Sequence, residues 1–319
     1  MRHIALGLLA STLTAACAAS AQPPQPSLSP MRAPEAVPDV LAELAEAREA
    51  DGSADVFTEP DTQLLPDSVF SQGGLVFGKT QPGALVTLDD KKVPVDAEGN
   101  FILGFGRDHP ATAALAVRYP GGTTAELTLD IADREFFEEE IEGVAENTVN
   151  PWTEEDLAHI RRSTELKNAA RRESTSSALW LDRFDWPAKG RISGRFGSRR
   201  IYNGTPKRPH SGVDVARPRG STEDFTGTPV LAPSAGVVRL AEPDMFFEGG
   251  LVFIDHGQNL ESALMHMSAL DVKAGDYVEK GDKIGEVGMT GRATGPHVHW
   301  SLKWHDRLLD PELVVPPMD

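Results

Sequence analysis

Turn residues recur every few positions through most of this chain, and that spacing restricts it to short strands. Between Asp61 and Asp133 the stretches GGLVFGKTQPG, ALVTLDDKKVPV, FILGFG, AALAVRYPGG and TAELTLDIAD are cut by Gly, Pro, Asn and Asp. Each piece holds enough alternation for one strand and too little length for a packed helix. A small all-β sandwich is expected over residues 61–133. Residues 184–319 carry the same glycine-rich alternation and are expected to form a second β domain. The interlude, residues 134–183, differs. It holds REFFEEEIEGVAEN, a break at Asn150-Pro151 and TEEDLAHIRRSTELKNAARRES, which read as a helical linker. Thr153-Glu154-Glu155-Asp156 has the character of a helix start, a capping hydroxyl followed by acidic residues in the first turn. The expected fold is mainly β.

At 319 residues the chain has room for about two domains. Its formal charge of -17 is uneven: residues 1–183 hold 30 acidic against 15 basic side chains, and residues 184–319 hold 18 against 16. No nucleic-acid partner is expected, because binding a phosphate backbone needs clustered Lys and Arg. Residues 1–21 have the form of a cleaved signal peptide. Arg2 and His3 precede the apolar run from Ile4 to Leu13, and Ala19-Ser20-Ala21 supplies a cleavage site before Gln22. That run falls well short of the ~20 residues that span a bilayer. No transmembrane span is expected after cleavage, and the periplasm is the expected location. Residues 22–60 form a Pro- and Ala-rich leader, with a short helix possible over 38–52. The single cysteine, Cys17, lies in the signal. An outer-membrane lipoprotein through Cys17 is the less favoured reading, because Thr14 stands where such signals usually carry Leu. A mature chain without cysteine has neither disulfides nor thiol chemistry.

Chemistry concentrates in the second domain. In GPHVHW, residues 295–300, His297 and His299 alternate and in a strand point the same way. In RPHSGVDVARP, His210 and Asp214 share a face of an extended segment, and Gly212 between them leaves room for an ion. In LVFIDHGQNLESALMHMSAL, a strand, a turn and a returning strand, Ser262, Leu264 and His266 share one face. His256 has a structural place in that turn, and His159 in the linker is a surface residue rather than a ligand. His210, Asp214 and His299 supply two neutral nitrogens and a carboxylate, which suits Zn2+ with a fourth position for water. A zinc-bound water has its pKa lowered to about 7 and becomes a nucleophile. Amide hydrolysis also needs a group that takes the proton and returns it to the leaving amine, work within the range of imidazole. No H-E-x-x-H helix is present to supply a glutamate. His297 is the economical candidate and His266 the other; the residues alone leave the choice open.

FGSRR…PHSGVDVA, the IDHG…LMHMS hairpin, KAGDYVEKGDKIGEVGMTG and GPHVHW follow, in order, the pattern of lysostaphin/LytM-type zinc metallopeptidases. Residues 184–319 resemble that family. The resemblance implies an antiparallel β barrel-sandwich, zinc on His210, Asp214 and His299, and catalytic assistance from His266 and His297. It also implies hydrolysis of the peptide stems or cross-links of bacterial peptidoglycan. Met265 departs from the Ala many members carry, and Tyr202 is the candidate for the family's oxyanion-side tyrosine. Residues 61–133 similarly resemble the bacterial immunoglobulin-like modules of exported proteins. An exported zinc metalloendopeptidase is therefore expected. Its alternative is a non-hydrolysing activator or binding module for other cell-wall hydrolases, which the five intact positions oppose. A biotinyl- or lipoyl-type carrier using Lys283 leaves those five positions unexplained, and Ser211 lacks the G-x-S-x-G elbow of a serine hydrolase. Residues 134–180 are further expected to pack over the groove and restrain it.

Overall fold

The computed structural model describes residues 62–141, 153–202 and 204–318. The expected signal peptide, the leader and Cys17 lie outside the described residues. Among the described residues the architecture is mainly β with one α-helix. Seven strands make up the first region: β1 (Gln63–Leu64), β2 (Leu75–Lys79), β3 (Leu85–Leu88), β4 (Lys91–Val93), β5 (Asn100–Gly104), β6 (Thr112–Arg118) and β7 (Thr124–Asp130). They form two antiparallel sheets, ordered β1-β2-β5 and β4-β3-β6-β7. β6 keeps strict alternation, with Ala113, Leu115 and Val117 buried between exposed or half-buried neighbours, as expected for a sheet covered on one face. β5 is buried throughout because both of its faces are covered. A side chain at Gly104 would meet Trp304 at 2.9 Å and Leu309 at 3.1 Å. Phe77 lies 5.3 Å from Trp180, and the Gln258 amide donates to the Asn100 carbonyl at 2.8 Å. The buried core thus runs without a break from Leu75 to Leu309.

The linker departs from expectation. Its first part is a strand, β8 (Glu138–Ile141), and only Glu154–Ala170 is helical, here α1. On a helix Glu135, Glu138 and Glu139 would stack like charges at i, i+3 and i+4, each pair unfavourable by roughly 0.2–0.5 kcal/mol. As a strand, β8 runs parallel to β10 (Arg199–Tyr202) and sets Glu138 and Glu139 against Arg199 and Arg200. Phe136 packs on Phe196, with the guanidinium groups of Arg107 and Arg134 4.5 and 5.1 Å from its ring centre. α1 begins where expected: the Thr153 hydroxyl accepts from the Asp156 amide, and the Asp156 carboxylate accepts from the Thr153 amide. It stops at Ala170 because the following residues find other partners. The Thr175 amide donates to Asp255 and its carbonyl accepts from the Gln258 amide, both at 2.7 Å.

Residues 184–319 add β9 (Arg191–Gly194), β11 (Thr205–Pro206), β12 (Val213–Ala216), β13 (Pro229–Leu231) and β14 (Gly236–Met245). Then come β15 (Gly249–Asp255), β16 (Leu260–Met267), β17 (Ala269–Leu270), β18 (Tyr277–Val278), β19 (Lys283–Glu286), β20 (His297–Trp304) and β21 (Arg307–Leu309). The main sheet is ordered β18-β14-β15-β16-β20-β12-β9, with β21 paired to β20; β13-β19-β17 and β11-β10-β8 are smaller sheets. β15 is buried at every position because its two faces meet different neighbours. Leu251 and Phe253 face Leu166 and Ala170 of α1, while Val252 and Ile254 enter the main core. α1 therefore lies on β14 and β15, where His159 bonds the Asp244 carbonyl at 2.9 Å and Lys167 pairs with Glu248. The expectation of a continuous helical linker is corrected: among the described residues the segment divides into an edge strand and a helix on the main sheet. His256 is structural, as expected. Its ring is fully buried between the Ala235 carbonyl and the Ser262 hydroxyl, each at 2.7 Å, and burial pushes its pKa down to about 4. Lys283 is engaged by Asp271 at 3.0 Å and Glu286 at 2.9 Å.

Candidate metal centre

The antiparallel register of β12 on β20 sets Asp214 directly opposite His299, and Ala216 opposite His297. Directly opposed residues bring their Cβ atoms to about 4.5–5.5 Å, close enough for the two side chains to share an ion. Asp214 Oδ1 lies 2.8 Å from His299 Nδ1 and 3.2 Å from His210 Nε2. His210 precedes β12 and is anchored from both sides, its amide donating to Ser198 at 2.8 Å and its carbonyl accepting from Gly197 at 3.0 Å. One ligand atom from each of His210, Asp214 and His299 falls within 4.8 Å of the others. Zinc bonds of about 2.0–2.2 Å in a tetrahedron require donors a little over 3 Å apart, so this set fits the ion the chemistry calls for.

Room for an ion comes from a glycine other than the one expected. A Cβ at Gly212 would strike the Trp300 carbonyl at 2.0 Å, so that glycine lets the chain entering β12 approach β20. A Cβ at Gly194 would come to 2.3 Å from Asp214 Oδ2 and 3.1 Å from the His210 ring. Gly194, on the neighbouring β9, keeps the space beside the ligands open.

Outer hydrogen bonds set which ring nitrogen of each histidine faces inward. His210 Nδ1 meets the Arg195 carbonyl at 3.1 Å, His266 Nδ1 that of Thr290 at 2.9 Å and His297 Nδ1 that of Gly295 at 2.8 Å. A carbonyl only accepts, so each Nδ1 carries the proton and each Nε2 is left with its lone pair. His299 is reversed. Its Nδ1 faces Asp214, and its Nε2 lies 2.8 Å from the Ser301 hydroxyl and 3.1 Å from that of Ser211, the two hydroxyls being 3.0 Å apart. Ser301 was not singled out from the sequence, and Ser211 was weighed there only as a serine nucleophile. The available signal was that Ser301 follows His299 by two residues on the same strand face.

His297 Nε2 lies 3.7 Å from Asp214 Oδ1, and the His266 and His297 rings are 4.7 Å apart. His266 reaches that position by leaving the alternation expected of Ser262 and Leu264. Gly250 pairs with Met267 and Val252 with Leu264, so Met265 and His266 together oppose Leu251 in a bulge. His266 adopts φ +66°, a left-handed conformation that non-glycine residues hold only where their surroundings impose it. Met265 carries the cross-strand pairing to His299. The side chain of Tyr202 lies outside the described residues.

Charge follows geometry. Burial works to raise the Asp214 carboxyl, but hydrogen bonds and charge from His210 and His299 hold it well below the usual carboxylate range. Burial lowers His299 despite its Asp214 bond, and burial pushes His266 down to about 4 against the pull of the Thr290 carbonyl. His210 moves the other way: burial lowers it, yet the Asp214 bond and charge outweigh that and raise it. One carboxylate beside imidazole lone pairs is a donor set suited to zinc.

The peptidase family M23 pattern matches residues 208–311. The chain is similar to the peptidoglycan DD-endopeptidase ShyA of Vibrio cholerae serotype O1, 38% identical over 123 residues, covering 38% of this chain and 27% of that protein. It is also similar to the DD-carboxypeptidase/endopeptidase Mpg of Neisseria meningitidis serogroup B, 35% identical over 127 residues, covering 40% of this chain and 27% of that protein. The match thus spans only about a quarter of the length of these curated relatives. A crystal structure described as a peptidase M23 from Pseudomonas aeruginosa is 31% identical, with a TM-score of 0.55, and the match covers 76% of this chain and 94% of that one. With the ligand geometry, the matched segment and near-complete coverage of that structure in agreement, this chain belongs to peptidase family M23.

Proposed function

We propose that this chain is an exported zinc metalloendopeptidase that hydrolyses peptide cross-links of bacterial peptidoglycan. The observation that carries this reading is the convergence of His210, Asp214 and His299 with two further imidazoles beside them. In this reading residues 1–21 are a signal peptide that delivers the chain to the periplasm and 22–60 a leader. Residues 61–133 form an immunoglobulin-like module, 134–183 a linker, and 184–319 the peptidase domain, an antiparallel β barrel-sandwich. The similarity to a peptidoglycan DD-endopeptidase and to a DD-carboxypeptidase/endopeptidase supports the substrate class.

His210 through Nε2, Asp214 through Oδ1 and His299 through Nδ1 would hold the ion. When bound there, zinc lowers the pKa of a coordinated water to about 7 and polarises a carbonyl oxygen. The remaining work belongs to the chain. His297 receives a proton at Nε2 and returns it to the leaving amine, its ring steadied by the Gly295 carbonyl. His266, fixed by Thr290, stands against His297 and orients the proton's path. Digestion of purified cross-linked wall material, followed by mass analysis, should show cross-linked fragments converted to monomers, and a chelator should stop it. Identical fragment profiles with and without the protein would sink the reading.

Ser211 and Ser301 act as positioning residues for His299. A proton on Nε2 shared with the two hydroxyls leaves Nδ1 as the lone-pair ligand. Losing such an outer partner typically weakens metal affinity about 10- to 100-fold. The double replacement Ser211→Ala with Ser301→Ala should weaken zinc binding by that factor, read by competition with a chromogenic chelator, and shift the His299 imidazole nitrogen resonances. Ser211→Thr, which keeps a hydroxyl, should lose little. Zinc affinity unchanged in the double variant would refute the assignment.

A further inference from the structure

A cleft of about 450 Å³ opens between the first β region and the end of β20 remote from His297. From His297 to Trp304 is seven residues of strand, or about 23 Å at ~3.3 Å per residue. Its walls bring together Lys91 and Lys92 from β4, Lys303 and Arg307 from the β20–β21 hairpin, and Arg171, which follows the last turn of α1. Arg171 is held by Glu261 at 2.7 Å, and Arg307 donates to the Gly104 carbonyl at 2.8 Å. Lys91, Lys92 and Lys303 have no anionic partner within ion-pair distance among the described residues. Asp306 is the one acidic residue in the lining. In a chain of net charge -17 this is a local reversal of sign.

These cations work against one another. Burial and the charge of Arg171 lower Lys303, with Glu261 and Asp306 opposing. Burial also lowers His305; Asp306 opposes it, and Arg307 and Lys91 add to it. A half-buried ammonium that faces a like charge, as Lys303 does, is unfavourable until an anion joins it. The volume falls in the range of small-molecule sites. Because three separate elements supply the cations, a ligand that satisfies them needs more than one anionic group.

We propose that this cleft binds a small polyanion, a molecule carrying at least two carboxylate or phosphate groups, separately from the metal centre. It does not depend on the peptidase reading. The full chain would be titrated with tricarballylate, a tricarboxylate, and with pyrophosphate, by calorimetry and thermal melting in 0.15 M salt, a condition that screens charges beyond roughly 8 Å. At least one probe should bind saturably, with a Kd of roughly 1 mM or tighter, weaken as salt rises, and raise Tm. Response to tricarballylate alone identifies carboxylate recognition, to pyrophosphate alone phosphate recognition, and to both a site that reads charge only. Lys92→Gln with Lys303→Gln should weaken binding at least about tenfold. Lys303→Met alone should raise Tm without a probe, by removing the self-repulsion, and diminish the rise a probe causes. Absence of saturable binding by either probe would overturn the proposal. So would a response that persists undiminished in the variants, since the probe would then sit at the metal centre or elsewhere.

Discussion

Replacement of His299 by alanine should remove zinc and turnover together. His299 is 5% exposed and contributes the Nδ1 that faces Asp214 across the β12–β20 ladder. Without it only His210 and Asp214 remain, and a two-donor site on an otherwise open face no longer completes the three-ligand arrangement of a catalytic zinc. Metal catalysis contributes several kcal/mol to the transition state, and at about 1.4 kcal/mol per tenfold its loss amounts to about a thousandfold or more in rate. Asp214→Asn should behave alike for a different reason. It keeps the shape of the side chain but removes the charge that draws both neighbouring imidazoles, seen in the opposing pulls on His210 and Asp214. Metal content after dialysis and release of wall fragments would be measured on the same preparations, with melting temperature as the check on folding. A folded His299→Ala protein that retains one zinc per chain would remove His299 from the ligand set.

The cluster of candidate metal-binding side chains was legible in part from the sequence because some of its spacing is local or period-two. His210 and Asp214 are four residues apart, and His297 and His299 alternate on one strand. The cross-strand pairing of Asp214 with His299 was not legible, since register depends on contacts far apart in sequence. His266 shows where alternation misleads. A single extra residue in β16 shifts the phase, and nothing in LESALMHMSAL announces the bulge. Gly212 and Gly194 show the same limit: spacing drew attention to the glycine between two ligands, but the one that clears the site sits on a neighbouring strand. The Glu-rich linker was misread for a related reason. Its partners, Arg199 and Arg200, lie some sixty residues downstream, and only their presence makes an extended Glu138-Glu139 favourable. Turn spacing led to the expectation of two β regions, whereas their shared core through Trp180, Trp304 and Leu309 was hidden, because a buried tryptophan gives no clue to what covers it.

His297→Ala should keep zinc and lose turnover by about 10²- to 10⁴-fold, the usual contribution of a positioned acid–base group. Its Nε2 is 3.7 Å from Asp214 Oδ1, so it stands at the edge of the ligand cluster without being needed to complete it. His266 has its ring centre 4.7 Å from that of His297 and 6.3 Å from that of His299. Both histidines commit Nδ1 to a backbone carbonyl, and burial sets His266 apart. Its Nδ1–H is committed to the Thr290 carbonyl, and burial pushes the ring's pKa down to about 4, so taking a proton from water is unfavourable near neutrality. On the function proposed above, the moving proton belongs to His297, and His266 accepts a hydrogen bond at Nε2 and fixes the neighbouring ring. The comparison needs a replacement that respects the backbone. His266 sits at φ +66°, where alanine is strained and asparagine is tolerated, so His266→Asn is the informative variant. Both variants should retain zinc, with kcat falling further in His297→Ala than in His266→Asn. The reverse order, at equal metal content and equal melting temperature, would transfer the proton-carrying role to His266 and leave His297 as the residue that orients it.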